Sequence, residues 1–182
     1  AFDSQGCPSL VANVTISEPA QLFLNWSTTP ETCAYTNDGT STADGLGGVA
    51  PYTVTFDGGF PFPAPLTITE LASADVHNWT VTDSNGCTAM VNFSVAEPVS
   101  LVADTISVTP STTGTNGAID VEVFGGVAPF SYTWIWDEEP DSVYSVDQDI
   151  FDLVADTFYL TVVDFNGCLD VLCVSVPGIP AI

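Results

Sequence analysis

Apolar and polar residues alternate along this chain with a period of two. YTVTFD at 52–57, NWTVTD at 78–83 and VNFSV at 91–95 show the pattern. So do IDVEVF at 119–124, FSYTWIW at 130–136, FYLTVV at 158–163 and LDVLCVSV at 169–176. Successive side chains of a strand point to opposite faces, so this pattern predicts β-strands with one face on a core. Val, Ile, Thr and aromatic residues dominate the runs, and Gly, Pro, Asn and Asp interrupt them, about every 8–12 residues as in all-β domains. No stretch carries a sustained helical period between caps, so no helix is predicted.

The pattern repeats. DSQGC at 3–7, DSNGC at 83–87 and DFNGC at 164–168 lie 80 and 81 residues apart. GGVAPY at 47–52 and GGVAPF at 125–130 are 78 apart, and Glu18-Pro19 and Glu97-Pro98 are 79 apart. Three markers at one period describe a tandem repeat. The registers assign 1–19 to the last hairpin and strand of a preceding repeat, 20–98 and 99–177 to two full repeats, and 178–182 to the start of a linker. Starting in mid-repeat, the chain is expected to belong to something longer. About seven short strands per unit predict an immunoglobulin-like sandwich. The predicted fold is all-β: two tandem immunoglobulin-like β-sandwich repeats plus an N-terminal strand left from a preceding repeat. The gapless match of 75–87 to 156–168 places His77, Trp79 and Val81 where Phe158, Leu160 and Val162 stand, on one core face. The Asn-Gly that follows predicts a tight hairpin turn, because both of its residues can take positive φ.

Composition narrows the chemistry. Hydrophobic residues make up 46% of the 182 residues, enough for packed cores despite a net charge of −23. There is no Lys or Arg against 23 Asp plus Glu, and His77 is the only side chain able to become cationic. A P-loop lysine, a Schiff-base amine and an arginine phosphate clamp are therefore excluded. Nucleic acid and anionic membranes would repel the chain. No apolar run reaches the roughly 18–20 residues that span a bilayer. With neither a leader nor an initiating Met, a secreted form is expected to be mature or excised. Self-repulsion calls for salt or divalent cations, and calcium is the one candidate cofactor.

At these residues the chain resembles the SprB repeat family of secreted Bacteroidetes-type surface proteins. The first repeat has Cys33, Asn37-Asp38-Gly39, Gly47-Gly48, Pro51-Tyr52, Asp83, Asn85-Gly86-Cys87 and Glu97-Pro98. The second has Asn116-Gly117, Gly125-Gly126, Pro129-Phe130, Asp164 and Asn166-Gly167-Cys168. The resemblance implies export to the cell surface, often by the gliding-associated route, and service in large repetitive adhesins or filaments. It supplies no catalytic residues.

Five cysteines make an odd count. Cys33 lies 14 residues before Gly47, whereas Ser111 stands 14 before Gly125. A disulfide Cys33–Cys87 is predicted in the first repeat and Cys168–Cys173 in the second, with free buried thiols as the alternative. Cys7 is left unpaired or intermolecular. Asp83 and Asp164 open Asp-x-Asn-Gly motifs without the distal acid of a calcium loop, so they are expected to accept hydrogen bonds within turns. The acidic loop Asp137, Glu138, Glu139 and Asp141, followed by Asp147, Asp149 and Asp152, is the candidate metal site, against simple solvation of an edge.

His77 occupies a position aromatic in the sister repeat, which predicts a core-edge histidine rather than a catalytic one. One His with scattered Cys makes no zinc site. Abundant acids leave glycoside cleavage without a distinctive carboxylate pair. Trp134 and Trp136, with Tyr132, share one strand face and are either core or a sugar-stacking stripe. Phe60 and Phe62, among prolines 61, 63 and 65, form a loop able to seat a neighbouring repeat. Asn13, Asn25, Asn78 and Asn92 stand in Asn-linked sequons that carry no expectation here, while Thr105 and Ser142 resemble a short bacterial O-glycosylation sequence.

The expected function is that of a non-enzymatic, extracellular structural or adhesive repeat, partnered by neighbouring repeats, identical subunits or surface glycans. The alternatives are a carbohydrate-binding module and a fibre subunit in which residues 8–19 complete a neighbour's sheet.

Overall fold

A computed structural model describes residues 4–5 and 14–178. Among them there are strands and no helix: β1 (Phe23–Thr29), β2 (Gly39–Leu46), β3 (Thr53–Phe56), β4 (Phe62–Pro63), β5 (Leu66–Leu71), β6 (His77–Thr82), β7 (Thr88–Phe93), β8 (Val102–Thr109), β9 (Gly117–Phe124), β10 (Ser131–Trp136), β11 (Ile150–Leu153), β12 (Thr157–Val163) and β13 (Leu169–Ser175). Their sheets are β1-β2-β5 and β4-β3-β6-β7, then β11-β9-β8 and β10-β12-β13. With strands lettered from each N-terminal side, both sets read as an ABE sheet and a CFG sheet, the first with one added short strand. That is immunoglobulin-like topology. The named pairings of β10 with β12, β12 with β13, β8 with β9, and β3 with β6 are all antiparallel.

The chain falls into two compact units. One comprises Ala1–Trp26, Ala43–Leu66 and Asn78–Val91, the other Ser27–Thr42, Thr67–His77 and Asn92–Ile182. In the first, Val54, Trp79 and Val81 are fully buried, and Phe56 meets Trp79 edge-on at 5.1 Å. In the second, the inward positions of β9, β10 and β12 make the centre. Ile119, Val121, Trp134, Phe158, Leu160 and Val162 have no exposed surface there. The alternation read from β6 and β12 is the one observed: Trp79 and Val81 face inward as Leu160 and Val162 do. His77 is half-buried with its ring 5.7 Å from that of Phe93, a core-edge position.

Two expectations change. Residues 14–19 carry no regular structure, with Val14 and Ile16 exposed. An extended segment becomes a strand only when a partner takes its backbone hydrogen bonds, and among the described residues no strand pairs with these. Residues 8–13 of the predicted strand, Cys7 and residues 179–182 lie outside the described residues. The Asn-Gly turns also differ from prediction. Gly86 and Gly167 have φ of 84° and 86°, while Asn85 and Asn166 keep ordinary negative φ. Gly86 N–H donates to Asp83 O and Asp83 N–H to Cys87 O, so the loop has three residues and ends on a left-handed glycine.

Candidate functional site

The markers that repeat in sequence meet at one corner of each repeat. In the first, Asp83 Oδ1 accepts from the N–H groups of Asn85 and Cys87, both at 2.9 Å, and Oδ2 accepts from Val49 N–H at 3.0 Å. In the second, Asp164 Oδ1 accepts from Asn166 and Cys168 at 2.9 Å, and Oδ2 from Val127 at 2.8 Å. Each aspartate thus closes its own turn with one oxygen and holds the Gly-Gly-Val-Ala-Pro loop with the other. Backbone bonds reinforce the tie: Ser84 N–H donates to Val49 O, and Phe165 N–H to Val127 O. Both aspartates are buried, each residue 6% exposed. Burial works to raise the Asp83 pKa, but N–H donors from Cys87, Val49 and Asn85 outweigh it and leave the value lowered.

The Glu-Pro segment enters the same corner. Gly48 N–H donates to Ala20 O and Gly126 N–H to Val99 O. A Cβ built on Gly47 would lie 2.0 Å from Gln21 O, and one on Gly125 would lie 2.0 Å from Ser100 O. Both glycines also have positive φ, 76° and 65°. Only glycine satisfies both demands. The Tyr52 hydroxyl donates to Gly47 O in the first repeat, a bond that Phe130 cannot make in the second.

A loop of residues 30–38 joins β1 to β2. Asp38 organises it: Oδ1 accepts from Thr32 N–H at 2.8 Å and from the Thr36 hydroxyl at 2.6 Å. Hydrogen bonds from Thr32 and then Thr36 hold the Asp38 carboxyl down at about 2 from an ordinary 3.8. A carboxyl depressed on folding adds stability that is present above its unfolded value and lost as pH falls through the folded one. The loop is therefore expected to loosen between pH 3.8 and about 2. An NMR titration of the Asp38 carboxyl checks this, and a midpoint near 3.8 would contradict it.

This loop reaches the turn of the second repeat. Cys33 and Cys168 form a disulfide with Cα atoms 5.5 Å apart, while Cys87 and Cys173 are exposed free thiols. Both predicted pairings are corrected. Cys168 and Cys173 belong to one strand and its lead-in, so five residues place them roughly 16 Å apart, beyond the ~7 Å a disulfide tolerates. Cys87 sits in its own corner, whereas the seven residues of β1 carry the chain roughly 23 Å onward before Cys33. In the unreduced protein, iodoacetamide is expected to alkylate Cys87 and Cys173 and to spare Cys33 and Cys168. Labelled Cys168 without reductant would contradict the observed pair.

The remaining candidates are not brought together. Trp134 is fully buried, and its indole N–H is shared between Asp147 O at 3.0 Å and Gln148 O at 3.3 Å. It cannot stack on a sugar. Trp136 is half-buried with its ring 5.7 Å from Tyr144 and 6.4 Å from Phe158. The Tyr132 hydroxyl lies 3.1 Å from Gln148 Oε1. Asp137, Glu138, Glu139 and Asp141 are exposed. No group of three or more His, Cys, Asp or Glu among the described residues is placed to hold a metal. Glu139 N–H donates to Trp136 O and Ser142 N–H to Glu139 O, so the acidic stretch is an exposed turn. The Tyr159 hydroxyl approaches Asp137 at 3.5 Å, and that charge raises the phenol pKa. Phe60 and Phe62 are exposed, Ser142 is exposed, and Thr105 is half-buried in β8.

The three N-terminal domains of the Highly Immunogenic Outer Capsid protein (Hoc) of bacteriophage RB49 are similar to this chain. Identity is 16% and the TM-score 0.54, covering 87% of this chain and 59% of that one. At this identity the likeness concerns the fold. A 282-residue C-terminal fragment of intimin, solved with the intimin-binding domain of the translocated intimin receptor, matches at 12% identity and TM-score 0.43, covering 88% and 64%. The N-terminal eight Ig domains of Down Syndrome Cell Adhesion Molecule match at 10% and 0.43, covering 89% and 25%. The chain spans less than two thirds of each of these chains. No curated protein matches the sequence. The family model of the SprB repeat matches residues 105–135, a stretch that holds Asn116-Gly117, the Gly125-Gly126 corner, Pro129-Phe130 and strands β9 and most of β10. The chain therefore carries a SprB repeat at residues 105–135.

Proposed function

We propose that this chain is a non-catalytic structural and adhesive segment of a large extracellular adhesin or surface filament, with repeats at 20–98 and 99–177. The observation that supports it best is the corner built twice from the same three markers, with the second corner joined covalently to Cys33. A disulfide between the two repeat ranges stops the intervening chain from extending under load, which suits a tethering element more than a catalyst. It also suits an oxidising, extracellular setting. A SprB repeat is consistent with display at a cell surface.

Display on a non-adherent bacterial cell tests the adhesive role. Cells carrying the chain are expected to resist detachment from glass and polystyrene under flow better than cells carrying the display anchor alone. Equal detachment would overturn the reading. The fully buried Trp134 gives the carbohydrate-module alternative no support.

A further inference from the structure

The two corners are built alike, and the second shows what such a corner receives. There, Cys33, Ala34, Tyr35 and Thr36 stand with Ser100, Leu101, Gly167, Cys168 and Leu169 around a cleft of 440 Å³, and the two sulfurs are bonded. The Cys168 sulfur also lies 3.5 Å from Thr32 O. At the first corner the counterparts by register are Gln21, Leu22, Gly86, Cys87 and Thr88. Four of them, Gln21, Leu22, Cys87 and Thr88, line a cleft of 640 Å³ together with Asp83 and Asn85. Cys87 N–H is held by Asp83 at 2.9 Å, as Cys168 N–H is held by Asp164. The Cys87 thiol is exposed and free.

We propose that the Cys87 corner is a docking and disulfide-forming site for a cysteine loop of the Cys33 type, supplied by the repeat that precedes it in an array. The incoming thiol and the Cys87 thiol each give up a proton as their S–S bond forms. The electron pair goes to a small-molecule disulfide, which is reduced to two thiols. Cys173 is the internal contrast. It is equally free, but it stands within β13 opposite Tyr159 and not in a turn. The second repeat has no cysteine in its own β8–β9 loop, residues 110–116, so it receives a staple at Cys168 without offering one onward.

The proposal rests on the array reading for the source of the loop. The docking chemistry is tested separately, on the whole chain with its Cys33–Cys168 bond intact. The probe is the peptide of residues 30–39, PETCAYTNDG, in a glutathione redox buffer, with acid quenching and mass-spectrometric mapping. A docking contribution of about 1.4 kcal/mol gives roughly tenfold more adduct at Cys87 than at Cys173. A scrambled peptide with the same cysteine is expected to show no such preference. Equal adducts at the two thiols, or an equal preference for the scrambled peptide, would overturn the proposal. C87S is expected to abolish the adduct and leave the melting temperature unchanged. Loss of the adduct preference would leave attachment under flow untouched, and loss of attachment would leave the adduct untouched.

Discussion

Removing the Cys33–Cys168 bond is expected to cost about 5 kcal/mol, because in the chain-entropy model the cost grows with the length of the closed loop. Here the two residues are 135 apart in sequence. The effect acts mainly on the unfolded chain, so C33S and C168S should lower stability by the same amount, and the double variant by no more than either single one. C87S and C173S should be silent, since both thiols are free and exposed. Chemical denaturation with and without reductant measures this, and reductant should move wild type onto the C33S curve. A large loss in C87S with none in C168S would restore the pairing within the first repeat and remove the staple.

Replacing the corner aspartate is the second large effect. In D164A three backbone N–H groups, from Val127, Asn166 and Cys168, lose their acceptor. Hydrogen bonds to a charged group contribute about 1.5–3 kcal/mol each, but losses sharing one side chain are not additive. A total near 4 kcal/mol follows. D164N keeps one acceptor oxygen and is expected to recover less than half of the loss, because an amide cannot serve both the turn and the Val127 loop. The damage should extend beyond the turn. Val127 follows the two left-handed glycines, so hydrogen exchange should quicken at 125–128 as well as at 164–168. Protection lost only at 164–168 would mean that the carboxylate does not hold the second loop.

Much of this arrangement is legible in sequence, for identifiable reasons. Strand alternation exposes itself when one face is buried, which is why β3, β6, β9, β10, β12 and β13 coincide closely with the runs read by period. β2 hides because its inward face is Gly39, Ser41 and Ala43, all buried yet scarcely apolar. Small residues are needed there, since a Cβ on Gly39 would lie 2.4 Å from Val95 Cγ1. Asp83 and Asp164 are readable as turn acceptors, but their second oxygens, which cross 34 and 37 residues, are not.

Counting back from Gly125 to place a counterpart for Cys33 fails for a similar reason. Glu31 N–H donates to Ala96 O and Ser111 N–H to Pro177 O, so Ser111 matches Glu31. The loop from there to the glycine that opens the next strand is two residues shorter, Ser111–Gly117 against Glu31–Gly39.

The sequence by itself determined the all-β class, the eighty-residue period, the inward face of each well-patterned strand, and the absence of basic chemistry. These follow from local residue choices, because side-chain alternation and turn preferences act over a few residues. Tertiary structure alone decided that Cys33 bonds Cys168, that Trp134 is core, and that the acids of 137–141 sit in an exposed turn. Those outcomes depend on which distant backbone segments approach within bonding distance, and spacing along a chain carries no record of that.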